Sequence, residues 1–199
     1  MSQRQELVDN DLIAATEAAV ARWGLSEITL ERVAAEAGMS RATIYRRGVT
    51  REDLIAALTG RAAETFRTQI WPALTGSGTA AERLRAALEA VCVTADSHLP
   101  TLSGMFLAHG EVFHRPGPRA LSVDVFAEPF ERLLRDGAMD GSLRPVDAPE
   151  VTATVLFNTV GWGYIHLRAG HEWDPETARQ QILDLVLRGL LPEPSGSQP

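Results

Sequence analysis

The sequence predicts an all-α protein, and three observations carry that reading. No stretch sustains period-two alternation with β-branched residues, apolar residues recur at three- and four-residue spacing, and Ser, Thr, Asp, Gly and Pro fall where helices start and stop. Leu12, Ile13, Thr16, Val20 and Trp23 lie along one helical face, and Gly24 follows as a stop. Thr29 caps a short helix in which Leu30, Val33, Ala34 and Ala37 follow i, i+3, i+4, i+7, and Gly38 supplies the left-handed turn that ends it. Ser40 caps a second short helix, Arg41 to Arg47, with Gly48 at its exit. Thr50 with Asp53 reads as a capping box with Asp in place of the usual Glu. It opens a longer helix through Leu54, Ile55, Leu58, Ala62, Phe66 and Ile70, expected to end near Trp71-Pro72.

After a Gly/Ser/Thr loop at 75–79, Thr79 with Glu82 opens a helix running to about Ser97. Residues 101–113 read as a short helix broken at Arg115-Pro116-Gly117-Pro118, and a helix from about 118 to 136 is expected to end at Gly137. Asp147, Pro149 and Glu150 start a long helix, and Asp174 with Pro175 starts the last one, which ends at Pro192. The total is about nine helices. The expected division is a helix-turn-helix domain over 1–50, a connecting helix over 51–72, a C-terminal helical domain over 51–191 and a disordered tail over 192–199.

Composition removes several function classes. The 199 residues are long enough to bury a core without disulfides. All 19 basic residues are arginine, so lysine Schiff-base and phosphate-loop chemistry is absent. A single cysteine, Cys92, excludes an internal disulfide and a multi-cysteine zinc site. The N-terminus shows no secretion signal, and the longest uncharged run, Val151 to Leu167, is too short and polar for a membrane span. The expected location is the cytoplasm.

The net charge of −7 argues against a generally basic coat, but its distribution is uneven. Residues 1–67 are near neutral at −1 and residues 68–199 carry −6, while residues 40–51 hold Arg41, Arg46, Arg47 and Arg51 with no acid. That patch coincides with two short helices joined by Ala37-Gly38-Met39-Ser40. An apolar first helix, a glycine turn, a polar cap and a cationic second helix make the grammar of a helix-turn-helix. Arg41, Thr43, Arg46 and Arg47 mark the exposed side of the second helix, and Met39 and Ile44 face inward. Two turns cannot be stable alone, so flanking helices must hold them.

The run TLERVAAEAGMSRATIYRRGVTREDLIAAL resembles the N-terminal DNA-binding domain of TetR-type transcriptional regulators, over about residues 10–60. The pattern is Thr-Leu, Val-Ala-Ala-x-Ala-Gly, Ser, Ile-Tyr, then Thr-x-x-x-Leu at matching spacing. Gly48 stands where the family usually has an aromatic, and Arg51 where it usually has Lys. The resemblance implies Thr29 near a phosphate, Ser40 leading the recognition helix, Arg41 and Thr43 at base edges, and Tyr45, Arg46 and Arg51 on phosphates. It implies a homodimer on a near-palindromic double-stranded operator, a transcriptional repressor by family habit, and a small apolar effector. With no Gly-x-Ser-x-Gly elbow and no Gly-x-Gly-x-x-Gly after a strand, no cofactor and no enzymatic activity are expected.

For the dimer, the expected interface residues are Thr154, Asn158 and Gly161 on one helix and Ile182, Leu183, Val186 and Leu190 on the last, where Asp184 and Arg188 would pair at i, i+4. For the effector, Phe66, Trp71, Phe106, His109, Phe130, Asn158 and Trp162 are the expected lining. Two alternatives stay open: a helical interaction or ligand-binding protein with a weakened DNA-binding domain, and a helical metal-dependent enzyme. The densest histidine cluster, His109 and His114 around Glu111, lacks the spacing of a helical metal pair, so no metal site is assigned.

Overall fold

The computed structural model describes residues 8–107 and 123–192, with side chains left out at 106, 107 and 123–125. The expected break at Arg115-Pro118 and the tail from residue 193 lie outside them. Among the described residues the chain is all-helical, with nine α-helices: α1 (Asn10–Trp23), α2 (Leu30–Glu36), α3 (Arg41–Arg46), α4 (Arg51–Thr75), α5 (Ala80–Ser97), α6 (Leu99–Leu107), α7 (Val123–Asp140), α8 (Pro149–Ile165) and α9 (Pro175–Arg188). A single π-helical turn, His166–Gly170, extends α8. Two compact units divide the chain: Met1–Glu64 with His98–Pro116, and Thr65–Ser97 with Gly117–Pro199.

The first unit gathers α1, α2, α3, the start of α4, and α6 around one apolar cluster. Leu12, Ala19 and Val20 of α1 meet Val33 and Ala34 of α2, Ile44 of α3, Leu54 and Leu58 of α4, and Met105 of α6. The helix starts follow the chemistry of unsatisfied N–H groups. Asp9 accepts from the backbone N–H of Leu12 at 2.9 Å, Thr29 from that of Arg32 at 3.3 Å, and Ser40 from that of Thr43 at 3.1 Å. Thr50 and Asp53 form the reciprocal box: the Thr50 N–H donates to Oδ2 at 3.0 Å and the Asp53 N–H to Oγ1 at 3.2 Å.

The second unit packs α5, α7, α8, α9 and the end of α4. Leu84 and Leu88 of α5, Phe130, Leu133 and Leu134 of α7, Ala153, Leu156, Val160 and Tyr164 of α8, and Leu183 of α9 form its interior. Distant polar pairs tie these helices. Arg83 donates to Asp136 at 2.6 Å, Arg85 to Asp184 at 2.6 Å, and Arg168 to Asp96 at 2.8 Å, while the buried Tyr164 hydroxyl donates to Asp96 at 2.6 Å.

Four boundaries and one pairing differ from expectation. α4 runs past Pro72 to Thr75, because a proline removes one N–H and the next turn still closes: the Gly76 N–H reaches the Pro72 carbonyl at 2.8 Å. α7 passes through Gly137 and stops before Gly141, whose φ of +75° is the left-handed stop. Gly137 serves a close approach instead, since a Cβ there would collide with the Leu143 side chain. α8 starts after Ala148 with no side-chain cap, so Pro149 and not Asp147 sets its beginning. α9 ends at Arg188, short of Pro192. Asp184 pairs with Arg85 of α5 and not with Arg188.

Candidate nucleic-acid interface

The short helix α3 has only six residues and is held from three sides. At its start the Ser40 hydroxyl accepts the Thr43 N–H and shares a hydrogen bond with the Thr43 hydroxyl at 2.9 Å. Underneath, Ile44 is 0% exposed in the core of the first unit. The turn before it closes on itself, with the Met39 N–H donating to the Ala34 carbonyl at 2.8 Å. At its exit Gly48 takes a φ of +67°, a conformation that a side chain makes costly, and the buried Val49 follows. A Cβ at position 48 would have nothing within 4 Å, so the seat of α3 rests on Ile44 and Val49.

The outward face carries the polar groups. Arg41, Tyr45 and Arg46 are exposed and Thr43 is half-buried. The Arg46 side chain makes no hydrogen bond or ion pair among the described residues, which leaves a cation on the surface of a fixed helix. Tyr45, 56% exposed, donates its hydroxyl to Glu31 Oε1 of α2 at 2.7 Å. That bond holds the Glu31 carboxyl below the usual carboxylate range and pushes the Tyr45 phenol above its ordinary value. The positive charge of Arg41 acts on both groups.

The other two arginines of the patch are engaged. Arg47 pairs with Asp9 at 2.7 Å, tying the end of α3 to the cap of α1. Arg51, expected on a phosphate, donates from Nη2 to the Leu25 carbonyl at 2.9 Å and from Nε to the Ile28 carbonyl at 3.2 Å. Those carbonyls lie in the loop between α1 and α2 and need donors, and a guanidinium fork serves two at once. Arg51 is thus a strut of the domain. Sequence reading missed it because carbonyl acceptors leave no mark on residue type. Asp9 was also missed as a cap, although an acid just before the first apolar face was a readable signal.

Of the residues expected around an effector, the described ones are packed together or exposed. Phe66 and Phe130 belong to a packed aromatic cluster with Phe126 and Phe157, at centroid separations from 5.3 to 6.4 Å. Trp71 is 64% exposed, which removes it from any enclosed lining. Trp162 donates to Asn158 Oδ1 at 3.2 Å along the same helix. The Phe106 side chain and all of His109, with the His114 cluster, lie outside the described residues. The second unit instead carries a groove of about 830 Å³ along α7 and α8, lined among others by Leu74, Arg132, Arg135, Glu150, Val151 and Val155. Nothing in the sequence assigned Arg132 or Arg135 a role, and Glu150 marked only a helix start.

The expected interface residues are placed unevenly. Leu183 is fully buried, and Ile182 and Leu190 nearly so, within their own unit. Gly161 faces Val91 of α5, with a Cβ position 3.7 Å from Cγ1. Thr154, Asn158 and Val186 remain half-buried, and Val151, Val155 and Leu185 are exposed apolar residues on α8 and α9. No helix among the described residues is long and apolar enough to cross a membrane.

Residues 12–58 match the tetR family of bacterial regulatory proteins. No curated protein matches the sequence. Several solved structures share the fold. The ketosteroid transcriptional regulator KstR2 of Mycobacterium tuberculosis aligns with a TM-score of 0.71 at 19% identity, over 96% of each chain. A regulator of the TetR/AcrR family from Thermobifida fusca YX-ER1 aligns at 0.66 and 19%, over 100% of each. A SmeT–triclosan complex aligns at 0.67 and 22%, over 96% of this chain and 93% of that one. At these identities the likeness establishes the fold, and the match over 12–58 places α1 to the start of α4 in a tetR-family DNA-binding domain.

Proposed function

We propose that this chain, a DNA-binding transcriptional regulator with a tetR-family N-terminal domain, acts as a cytoplasmic homodimeric repressor that leaves its operator when a small effector binds. The observation that carries the reading is α3 itself: a helix seated on the fully buried Ile44, with Arg41, Tyr45 and Arg46 turned to solvent. Such a helix makes too few contacts to bind a duplex alone. Two copies on a dimer solve that, on half-sites about 34–36 Å apart or a multiple of it. Arg41 and Thr43 read base edges, with Arg41 suited to guanine O6 and N7. Thr29, Ser40, Tyr45 and Arg46 position the domain on phosphates.

The dimer forms on α8 and α9, where Val151, Val155 and Leu185 (73% exposed) are the apolar groups left uncovered. The SmeT structure holds triclosan and KstR2 is named for ketosteroids, which supports a small apolar effector in the second unit.

The test is retardation of duplex DNA from the gene's own upstream region. Three or four neutralised phosphates per protomer give a slope of log K against log salt of about −5 to −7. Arg41→Ala is expected to weaken specific binding about 10- to 100-fold, the equivalent of roughly 1–3 kcal/mol for a bidentate base contact, with an unchanged melting midpoint. Unaltered affinity and sequence preference in Arg41→Ala would remove the base-contact assignment. Salt-independent binding by the parent protein would remove the whole reading.

A further inference from the structure

We propose that Glu31 is a positioning residue that holds the Tyr45 hydroxyl away from a duplex, so that DNA must displace a carboxylate before Tyr45 can serve a phosphate. The inference rests on α3 being the DNA-facing helix and adds a residue to that face. Glu31 stands in the first turn of α2 and Tyr45 near the end of α3, fourteen residues apart, and their side chains meet at 2.7 Å on the exposed surface.

A phenol has a single proton to donate. In the structure that proton is directed to Glu31 Oε1, an anionic oxygen that takes up the hydroxyl's one donor. Two anions cannot share the hydroxyl. A phosphate approaching it meets an ionised carboxylate first, with Arg41 as the nearby cation that acts on both Glu31 and Tyr45. Binding therefore includes an exchange, in which the hydroxyl leaves Glu31 for the phosphate and Glu31 turns to Arg41 or to water. The contact lies in solvent, so the exchange is fast and the hold modest. It lowers affinity for every duplex alike, because phosphate contacts carry no sequence. It therefore sets how tightly the domain holds any duplex, and leaves the ratio between an operator and random DNA to the base contacts.

The other role open to Glu31 is a brace between α2 and α3. The two roles predict opposite signs. If Glu31 only braces the motif, its loss loosens α3 and weakens binding. If it withholds Tyr45, its loss tightens binding.

The experiment uses the full chain and a fluorescein-labelled 30-base-pair duplex of random sequence, with anisotropy read at about 50 and 150 mM salt. Glu31→Gln keeps the size and an acceptor but removes the charge. It is expected to bind the random duplex about three- to tenfold more tightly, with a melting midpoint close to the parent's. In a Tyr45→Phe background the same substitution should gain less than about twofold, because the hydroxyl whose charged hold it weakens is gone. Weaker or unchanged binding by Glu31→Gln overturns the proposal. So does an equal gain in the Tyr45→Phe background, which would make Glu31 a general surface charge.

A second readout needs no DNA. The chain has two tyrosines, and burial together with its bond to Asp96 drives the Tyr164 phenol far up, so Tyr45 ionises first. Glu31→Gln should move that first phenolate absorbance step to lower pH, and an unmoved step also overturns the proposal. Should the parent protein fail to bind any duplex in a salt-sensitive way, the DNA-facing assignment of α3 fails. If the parent binds and only Glu31→Gln misbehaves, this inference fails alone.

Discussion

The two units of the chain hold their polar groups in different ways. In the first, the helix starts close on themselves: Asp9 to Leu12, Thr29 to Arg32, Ser40 to Thr43 and Thr50 to Asp53 are all contacts three residues apart. The first unit also has ties across 38, 26 and 23 residues, from Arg47 to Asp9 and from Arg51 to the Leu25 and Ile28 carbonyls, and the second has a local cap at Asp174. The side-chain bonds between helices of the second nonetheless reach further along the chain. Arg83 reaches Asp136, Arg85 reaches Asp184, and Tyr164 and Arg168 both reach Asp96, at separations of 53, 99, 68 and 72 residues. A short helix that must present side chains in one pose gains from closure in its own turn, since each cap acts before any distant segment has arrived. A helical bundle can leave such choices to the packed state. Local closures should therefore cost little when broken and act mainly on the pose of one helix. Distant ones should cost more and act on the whole unit.

The largest expected effect tests that contrast at Asp96. Its two oxygens receive the buried Tyr164 hydroxyl at 2.6 Å and the Arg168 Nε at 2.8 Å. Asp96→Ala leaves both donors to find other partners, of which Tyr164 has the Pro175 carbonyl at 3.3 Å. The expected loss is about 2–3 kcal/mol, the range for charged hydrogen bonds broken where water has little access. Urea denaturation measures it. A loss under about 1 kcal/mol would show that the distant bonds of the second unit are no stronger than caps.

The same distinction explains what could be read in the residues. The helix-turn-helix was legible because its determinants sit side by side: the Thr29 cap, the glycine turn, the Ser40 cap and the Thr50-Asp53 box each advertise themselves within four positions. Ile44 was legible as core because α3 is too short to bury anything else. Arg51 was not, since its acceptors are the carbonyls of Leu25 and Ile28, and a carbonyl belongs to every residue. The tie from Tyr45 to Glu31 was hidden in the same way, by a contact that exists only once two helices meet. In the second unit the helix types were plain and their ends were not. Pro72 and Gly137 read as stops, yet one sits inside α4 and the other gives Leu143 room. Asp184 and Arg188 read as a pair, but Arg85 on a distant helix takes Asp184.

An intermediate effect is expected at Ser40. Ser40→Ala removes the acceptor for the Thr43 N–H and the partner of the Thr43 hydroxyl. The stability cost is about 1 kcal/mol, the usual value of a lost N-cap. The functional cost should be larger than stability alone implies, because the cap also orients Thr43, a proposed base contact. Anisotropy with the upstream duplex and urea denaturation, run on the same variant, separate the two. Equal losses in binding and in folding would mean that the cap does not set the pose of α3, and the contrast between local and distant closure would lose its functional half.

The smallest effect is the dependence on acid, and it compares one cap from each unit. Asp9 and Asp174 both accept the backbone N–H three residues on, from Leu12 and Thr177. Both carboxyls are held below their ordinary value of 3.8, Asp9 first by the Leu12 N–H and Asp174 first by the Thr177 hydroxyl. A folded-state value below the unfolded one means that the ionised cap stabilises the fold above about pH 3.8, and that this contribution disappears as the pH falls through the lowered values. Asparagine caps a helix about as well as aspartate but does not titrate. Asp9→Asn and Asp174→Asn should therefore leave stability near neutrality little changed and flatten its decline below pH 3.8, as thermal midpoints measured from pH 2.5 to 6 would report. Only Asp9 also faces Arg47, which caps the end of α3, at 2.7 Å. Asp9→Asn should thus free a cation on the recognition helix and raise non-specific duplex affinity slightly at low salt, while Asp174→Asn leaves it unchanged. If the two variants shift duplex binding equally, Arg47 is not held by Asp9 in solution. The first unit would then owe the pose of α3 to its caps, its closed turn and the seat on Ile44 and Val49.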